Sequence, residues 1–164
     1  MKRLILFGLV ICLTAILSGC SYSADVVIVN NSDHFIQIRY EAKKTDYWSL
    51  TPFFVPLAEF SISRTDWRVL SVERYKIDKE KGIVEVSLAP REALRIDAVN
   101  AGRAQQNLDE ELNLKSLKIT AEKGSMTLEG NQIYRQFKPE HKGWVLFGPS
   151  YSSYVLYYNE QNNQ

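Results

Sequence analysis

Apolar and polar residues alternate with a period of two along most of the chain, which is the pattern of strands with one buried and one wet face. In the stretch from Phe35 to Ala42, Ile36, Ile38, Tyr40 and Ala42 share one side, and Gln37, Arg39 and Glu41 the other. The same alternation recurs at Ala58–Phe60–Ile62, Val84–Val86–Leu88, Leu94–Ile96–Ala98, Leu117–Ile119–Ala121 and Met126–Leu128. Asp25 to Val29 and Gln132 to Lys138 also read as strands. Turn residues punctuate them at Asn30–Asp33, Asp78–Gly82, Lys123–Gly124, Gly130–Asn131 and Gly148–Ser150. One window has helical spacing: Ala101, Ala104, Leu108 and Leu112, with Asp109, Glu110 and Glu111 beside them, as a short surface helix or an ordered loop. The segment from Asp46 to Pro56, with two prolines and four aromatics, reads as a long aromatic loop or an irregular edge.

About ten short strands of this kind predict an all-β fold, an antiparallel β-sandwich of broadly immunoglobulin-like form with at most one short helix. A small antiparallel β-barrel is the alternative. No internal repeat or Pro/Gly-rich linker divides the chain, so one sandwich domain is expected over residues 25–158, followed by a polar tail at 159–164.

Residues 1–19 follow a different plan. Met1-Lys2-Arg3 is a short basic head, Leu4 to Leu17 is almost wholly apolar, and Ser18-Gly19 is a small-residue exit. These are the three parts of an export signal peptide. As a helix the 14-residue apolar run would reach only about 21 Å at roughly 1.5 Å per residue. The bilayer hydrocarbon is about 30 Å thick, so cleavage is favoured over a permanent span. Leu17-Ser18-Gly19-Cys20 resembles the lipobox of bacterial lipoproteins: an aliphatic residue, two small residues and a cysteine. The resemblance covers residues 1–20 alone. It implies cleavage before Cys20, a diacylglyceryl thioether on its sulfur and an acyl chain such as palmitate on the new amino terminus. Several acyl chains anchor a protein stably where one would not. Ser21, in place of the aspartate that marks inner-membrane retention, implies delivery to the periplasmic face of the outer membrane. In a cell with a single membrane, the same signal implies the outer face of the cell membrane. Residues 20–24 are then the lipidated amino terminus and a short tether.

This changes the cysteine count. The sequence has two cysteines: Cys12 falls in the discarded leader and Cys20 is consumed by lipid, so neither a disulfide framework nor a cysteine zinc site is available. The 164-residue chain carries 20 Lys+Arg against 19 Asp+Glu, for a net charge of +1. Loss of Lys2 and Arg3 brings the mature domain to −1. Such a balance offers no electrostatic footprint for nucleic acid.

Catalytic residue patterns are sparse. His34 and His141 both neighbour turn residues, and no His-x-x-x-His pair exists to chelate zinc on a helix. Gly148-Pro149-Ser150-Tyr151-Ser152 lacks the second glycine of a nucleophile elbow. The carboxylate groups Asp78 with Glu80, and Asp109-Glu110-Glu111, read as a hairpin tip and a solvated helix side. Neither has the apolar frame that separates an acid from a base. The expectation is no enzyme and no cofactor or metal. Aromatic residues are the one biased feature. Gly143 to Gly148 and Ser153 to Tyr158 are apolar or aromatic on both faces, as in a central hairpin buried on both sides. The functional alternative is an exposed interaction surface built from Tyr47, Trp48, Trp144, Tyr151 and Tyr154. The sequence thus points to a lipid-anchored, non-enzymatic interaction or assembly module with an envelope protein as partner. A module binding a small ligand or glycan through its aromatic loops is the alternative, and an envelope hydrolase a further one.

Overall fold

The computed structural model describes residues 23–45, 50–61, 65–141 and 152–159. Among the described residues, eleven strands form two sheets. The strands are β1 (Ser23–Asn30), β2 (Ile36–Ala42), β3 (Phe53–Pro56), β4 (Arg68–Val69), β5 (Tyr75–Asp78), β6 (Ile83–Leu88), β7 (Glu92–Asn100), β8 (Leu114–Ala121), β9 (Gly124–Glu129), β10 (Lys138–His141) and β11 (Ser152–Tyr158). Two helices, α1 (Ala101–Glu111) and α2 (Asn131–Gln136), follow β7 and β9. Sheet A has the order β10-β11-β1-β7-β3-β4 and sheet B the order β5-β6-β2-β8-β9. All pairings are antiparallel except β1 with β11, which run parallel from Asp25↔Ser153 to Asn30↔Tyr158. The fold is a β-sandwich, and the sheets do not close into a barrel.

The core lies between the sheets. Sheet A contributes Val26 and Ile28 of β1, Leu94 and Ile96 of β7, and Leu156 of β11; sheet B contributes Ile38, Val86, Leu117 and Ile119. Leu94, Ile96, Ile38, Val86, Leu117 and Ile119 are residues that the period-two pattern assigns to the apolar faces. Sheet A is also buried on its other face. Val27, Val29, Val55, Ala93 and Val155 form a second cluster, all fully buried, against which Leu57, Phe60 and Trp67 pack. A β-bulge between Val26 and Val27 shifts the β1–β7 register by one residue, so Val26 faces Asp97 and Val27 faces Arg95.

Asn30 joins the sheets where β1 gives way to β2. Fully buried, it donates through Nδ2 to the carbonyls of His34 (2.8 Å), Ala89 (2.9 Å) and Leu88 (3.3 Å). Its Oδ1 accepts from the backbone N–H (3.1 Å) and the hydroxyl (2.7 Å) of Ser32. A buried amide is tolerable only when its donors and acceptors are used in this way. Arg74 makes a second link, donating to the Ser87 carbonyl of sheet B and to the Glu92 carboxylate of sheet A.

Four expectations are corrected. Ala58–Ser61 is not a strand, and Ile62 lies outside the described residues: after Pro56 the chain turns, with Phe60 N–H donating to the carbonyls of Pro56 and Leu57. Gln132 to Lys138 is not one strand, because α2 occupies its first part, opened by Gly130 at φ +50°, and only Lys138 enters β10. The end of the Asp46–Pro56 segment is an internal strand, β3, paired on both sides by β7 and β4. The first strand also begins two residues before the expected Asp25, at Ser23, paired with Asn100.

Candidate functional site

Of the seven residues singled out by sequence, Cys20, Ser21, Tyr47, Trp48, Trp144 and Tyr151 lie outside the described residues. Tyr154 lies within them and is corrected: it is 4% exposed and belongs to the core between the sheets. The parallel pairing with β1 sets this, because Tyr154 is in register with Val26, itself a core residue. The expected burial of both faces is present in β11, where Leu156 and Tyr158 enter the main core and Val155 the second cluster. Tyr157 is the outward exception, 40% exposed, donating its hydroxyl to Glu140 at 2.6 Å. Partial burial and that carboxylate push its pKa up to about 12.

The chemistry-bearing residues are dispersed. His34 is exposed in the β1–β2 turn with Nδ1 3.8 Å from Glu122. Asp78 closes the β5–β6 hairpin by accepting from Lys81 N–H at 3.1 Å, which lowers its carboxyl below the usual range, opposite to the shift a general acid needs. On α1, Asp109 lies 3.8 Å from Lys43 and Glu111 lies 3.7 Å from Arg103. Among the described residues, no group of three His, Cys, Asp or Glu side chains could hold a metal ion.

Asp97 has its carboxyl shifted in the other direction. Burial raises it, against the Asn113 and Ala98 N–H groups (both 2.8 Å) and the Arg95 charge, which lower it. Tyr40, across the core, has a buried hydroxyl with no hydrogen-bond partner. Its own burial, with the Asp97 charge, raises it well above the ordinary phenol range.

Sequence reasoning missed one polar assembly, on the outer side of sheet A. The Arg95 guanidinium lies 4.6 Å from the Phe53 ring centre and 5.8 Å from that of Trp67, and 3.4 Å from Asp25. Trp67 Nε1 donates to Asp25 at 2.9 Å, and its ring lies 6.0 Å from that of Phe60. Cation–π contacts and the hydrogen-bonded carboxylate fasten the Trp67 segment over the second cluster. Nothing in the local sequence marks the assembly, because its members come from four separate stretches of chain.

Two clefts of about 320 Å³ each open on the surface. One lies at the end of β11, between Met126, Gln136, Lys138 and Tyr157; the other lies over sheet B, between Arg39, Lys76 and Glu85. The second is lined by two carboxylates, Asp78 and Glu85, each paired with a cation of the same cleft, Lys81 at 3.5 Å and Arg39 at 3.3 Å. The fold therefore defines a class, a two-sheet β-sandwich with one sheet buried on both faces. Comparison with family models, curated proteins and solved structures finds no match for the chain.

Proposed function

We propose that the chain is a lipid-anchored lipoprotein of the bacterial envelope and that its sandwich is a non-enzymatic docking module for another envelope protein. The anchor is Cys20, and the place is the periplasmic face of the outer membrane. The observation that carries this is Leu17-Ser18-Gly19-Cys20 at the end of a basic-then-apolar leader. The close approach of the fold supports it: the first strand begins three residues later, at Ser23. Tethering raises the local concentration at the membrane, so a modest contact suffices for docking.

Mass spectrometry of the native protein tests the anchor. The expected product begins at Cys20 and carries the mass of a diacylglyceryl group and an amide-linked acyl chain. Cys20→Ala is expected to leave the membrane fraction or to retain its leader. An unmodified sulfur, or a Cys20→Ala chain that has lost its leader and still partitions fully with membranes, defeats the reading. Crosslinking with mass spectrometry in intact cells then identifies the docked neighbour. Phe35, 59% exposed at the turn farthest from the anchor, is one position for the crosslinker.

A further inference from the structure

The same geometry fixes which end of the sandwich meets lipid. β1 begins at Ser23, and the elements gathered at that end follow from the strand registers. Asn100 is paired with Ser23, so α1 starts there. Ala42 closes β2 there, paired with Leu114 and donating its N–H to Gly82 of the β5–β6 hairpin at 2.8 Å. The opposite end carries the turns at Asn31–Phe35, Ala89–Arg91 and Glu122–Lys123. The nine residues of β7 separate the two ends by about 30 Å.

We infer that the end formed by α1 and the β5–β6 hairpin rests on the phospholipid surface, with the Phe35 end held away from it. The inference rests on lipid attachment at Cys20. From Cys20 to Ser23 the chain reaches about 10 Å at most. β1 is the third strand of six, so its start lies under the middle of the sandwich end. Two strand spacings toward the β10 edge already use about 10 Å, and sheet B is roughly as far on the other side. The tether is consumed before either the β10 edge or the outer face of sheet B reaches the headgroups. The one competing orientation within reach lays the Trp67 cover of sheet A on the membrane. Charge does not drive the contact. The hairpin alternates Asp78, Lys79, Glu80 and Lys81, and on α1 the Asp109 and Glu111 carboxylates stand beside Lys43 and Arg103. Such a neutral surface gains little from anionic headgroups.

With Cys12 removed and Cys20 acylated, any introduced cysteine is the sole thiol, so one fluorophore can be placed at a time. The experiment uses the full lipidated chain in phosphatidylethanolamine–phosphatidylglycerol vesicles, with aqueous iodide and nitroxide-labelled lipid as quenchers. Exposed positions serve: Glu80→Cys and Gln106→Cys at the anchor end, Asp33→Cys and Lys123→Cys at the far end, Ala58→Cys on the cover. Several-fold weaker iodide quenching, with strong nitroxide quenching, is expected at the first two positions alone, and unchanged in high salt. Equal quenching at both ends, protection centred on Ala58→Cys, or loss of protection in salt overturns the orientation. The mass of the Cys20 peptide from the same sample separates the two claims. A lipidated Cys20 with a wrong quenching profile defeats the orientation alone, and an unmodified Cys20 defeats the anchor with it.

Discussion

The outer faces of the two sheets are built on opposite plans. Sheet B presents Gln37, Arg39 and Glu41 of β2 beside Glu85 and Ser87 of β6 and Lys118 of β8, tied by surface contacts such as Arg39–Glu85 at 3.3 Å and Gln37–Ser87 at 3.1 Å. Exposed pairs of this kind contribute little, about 0–1 kcal/mol each. Sheet A presents Val27, Val29, Val55, Ala93 and Val155, none of them exposed, under a segment held by Arg95, Asp25 and Trp67. One sheet is a half-buried layer facing water. The other is an inner layer, so a change of one side chain has different consequences on the two.

The largest expected effect follows from placing a charge on the covered face. Val29→Asp, in register with Ala93 and Tyr157 and with no cation opposite, buries an unpaired carboxylate and is expected to cost about 4 kcal/mol, enough to unfold much of the domain. Gln37→Asp, on the wet face of sheet B, is expected to stay within about 0.5 kcal/mol. Urea denaturation of both variants reads the difference directly, and equal losses would erase the distinction between the faces. Next comes the cover itself. Trp67→Ala removes the ring packed on Phe60 and leaves Asp25 without its indole donor, and is expected to cost about 2–3 kcal/mol by denaturant midpoint. A loss near zero would mean that the segment does not stabilise the face beneath it.

The smallest effect concerns pH. Asp97 has a raised carboxyl pKa in the folded state, so the native protein holds its proton to higher pH than the unfolded chain. Stability from this group is therefore greatest below the ordinary aspartate range and declines as pH rises through the raised value. Asp78, whose carboxyl is lowered, acts in the opposite sense, its contribution present above the ordinary range and lost as pH falls. In Asp97→Asn the decline with rising pH is expected to disappear, read as urea midpoints across pH 4–7, and a variant profile parallel to the parent would remove Asp97 as its source.

The difference between the faces was partly legible in sequence. β2, Ile-Gln-Ile-Arg-Tyr-Glu-Ala, alternates strictly and forms a strand with one wet face. In β1 the run Val26-Val27-Ile28-Val29 does not alternate, and both its faces are buried. The cover was not legible, because Phe60 and Trp67 reach the second cluster through a turn whose alternation, Ala58–Phe60–Ile62, imitates a strand. α2 was hidden for a related reason. Ile133 and Phe137 are buried at a helical spacing of four, but six residues offer too few repeats for that period to stand out against alternation. The candidate surface suffered most from the topology: only the parallel pairing of β11 with β1 turns Tyr154 inward.

That pairing also decides when the molecule can be finished. The valine-rich β1 is the first of the described strands to be synthesised, yet one of its two neighbours, β11, is the last of them. Until then an unsatisfied backbone edge stands open on a strand that is apolar on both sides, a template for clumping. Assembly that waits on such distant contacts is slow. A chain halted before the eleventh strand keeps that edge of β1 unpaired.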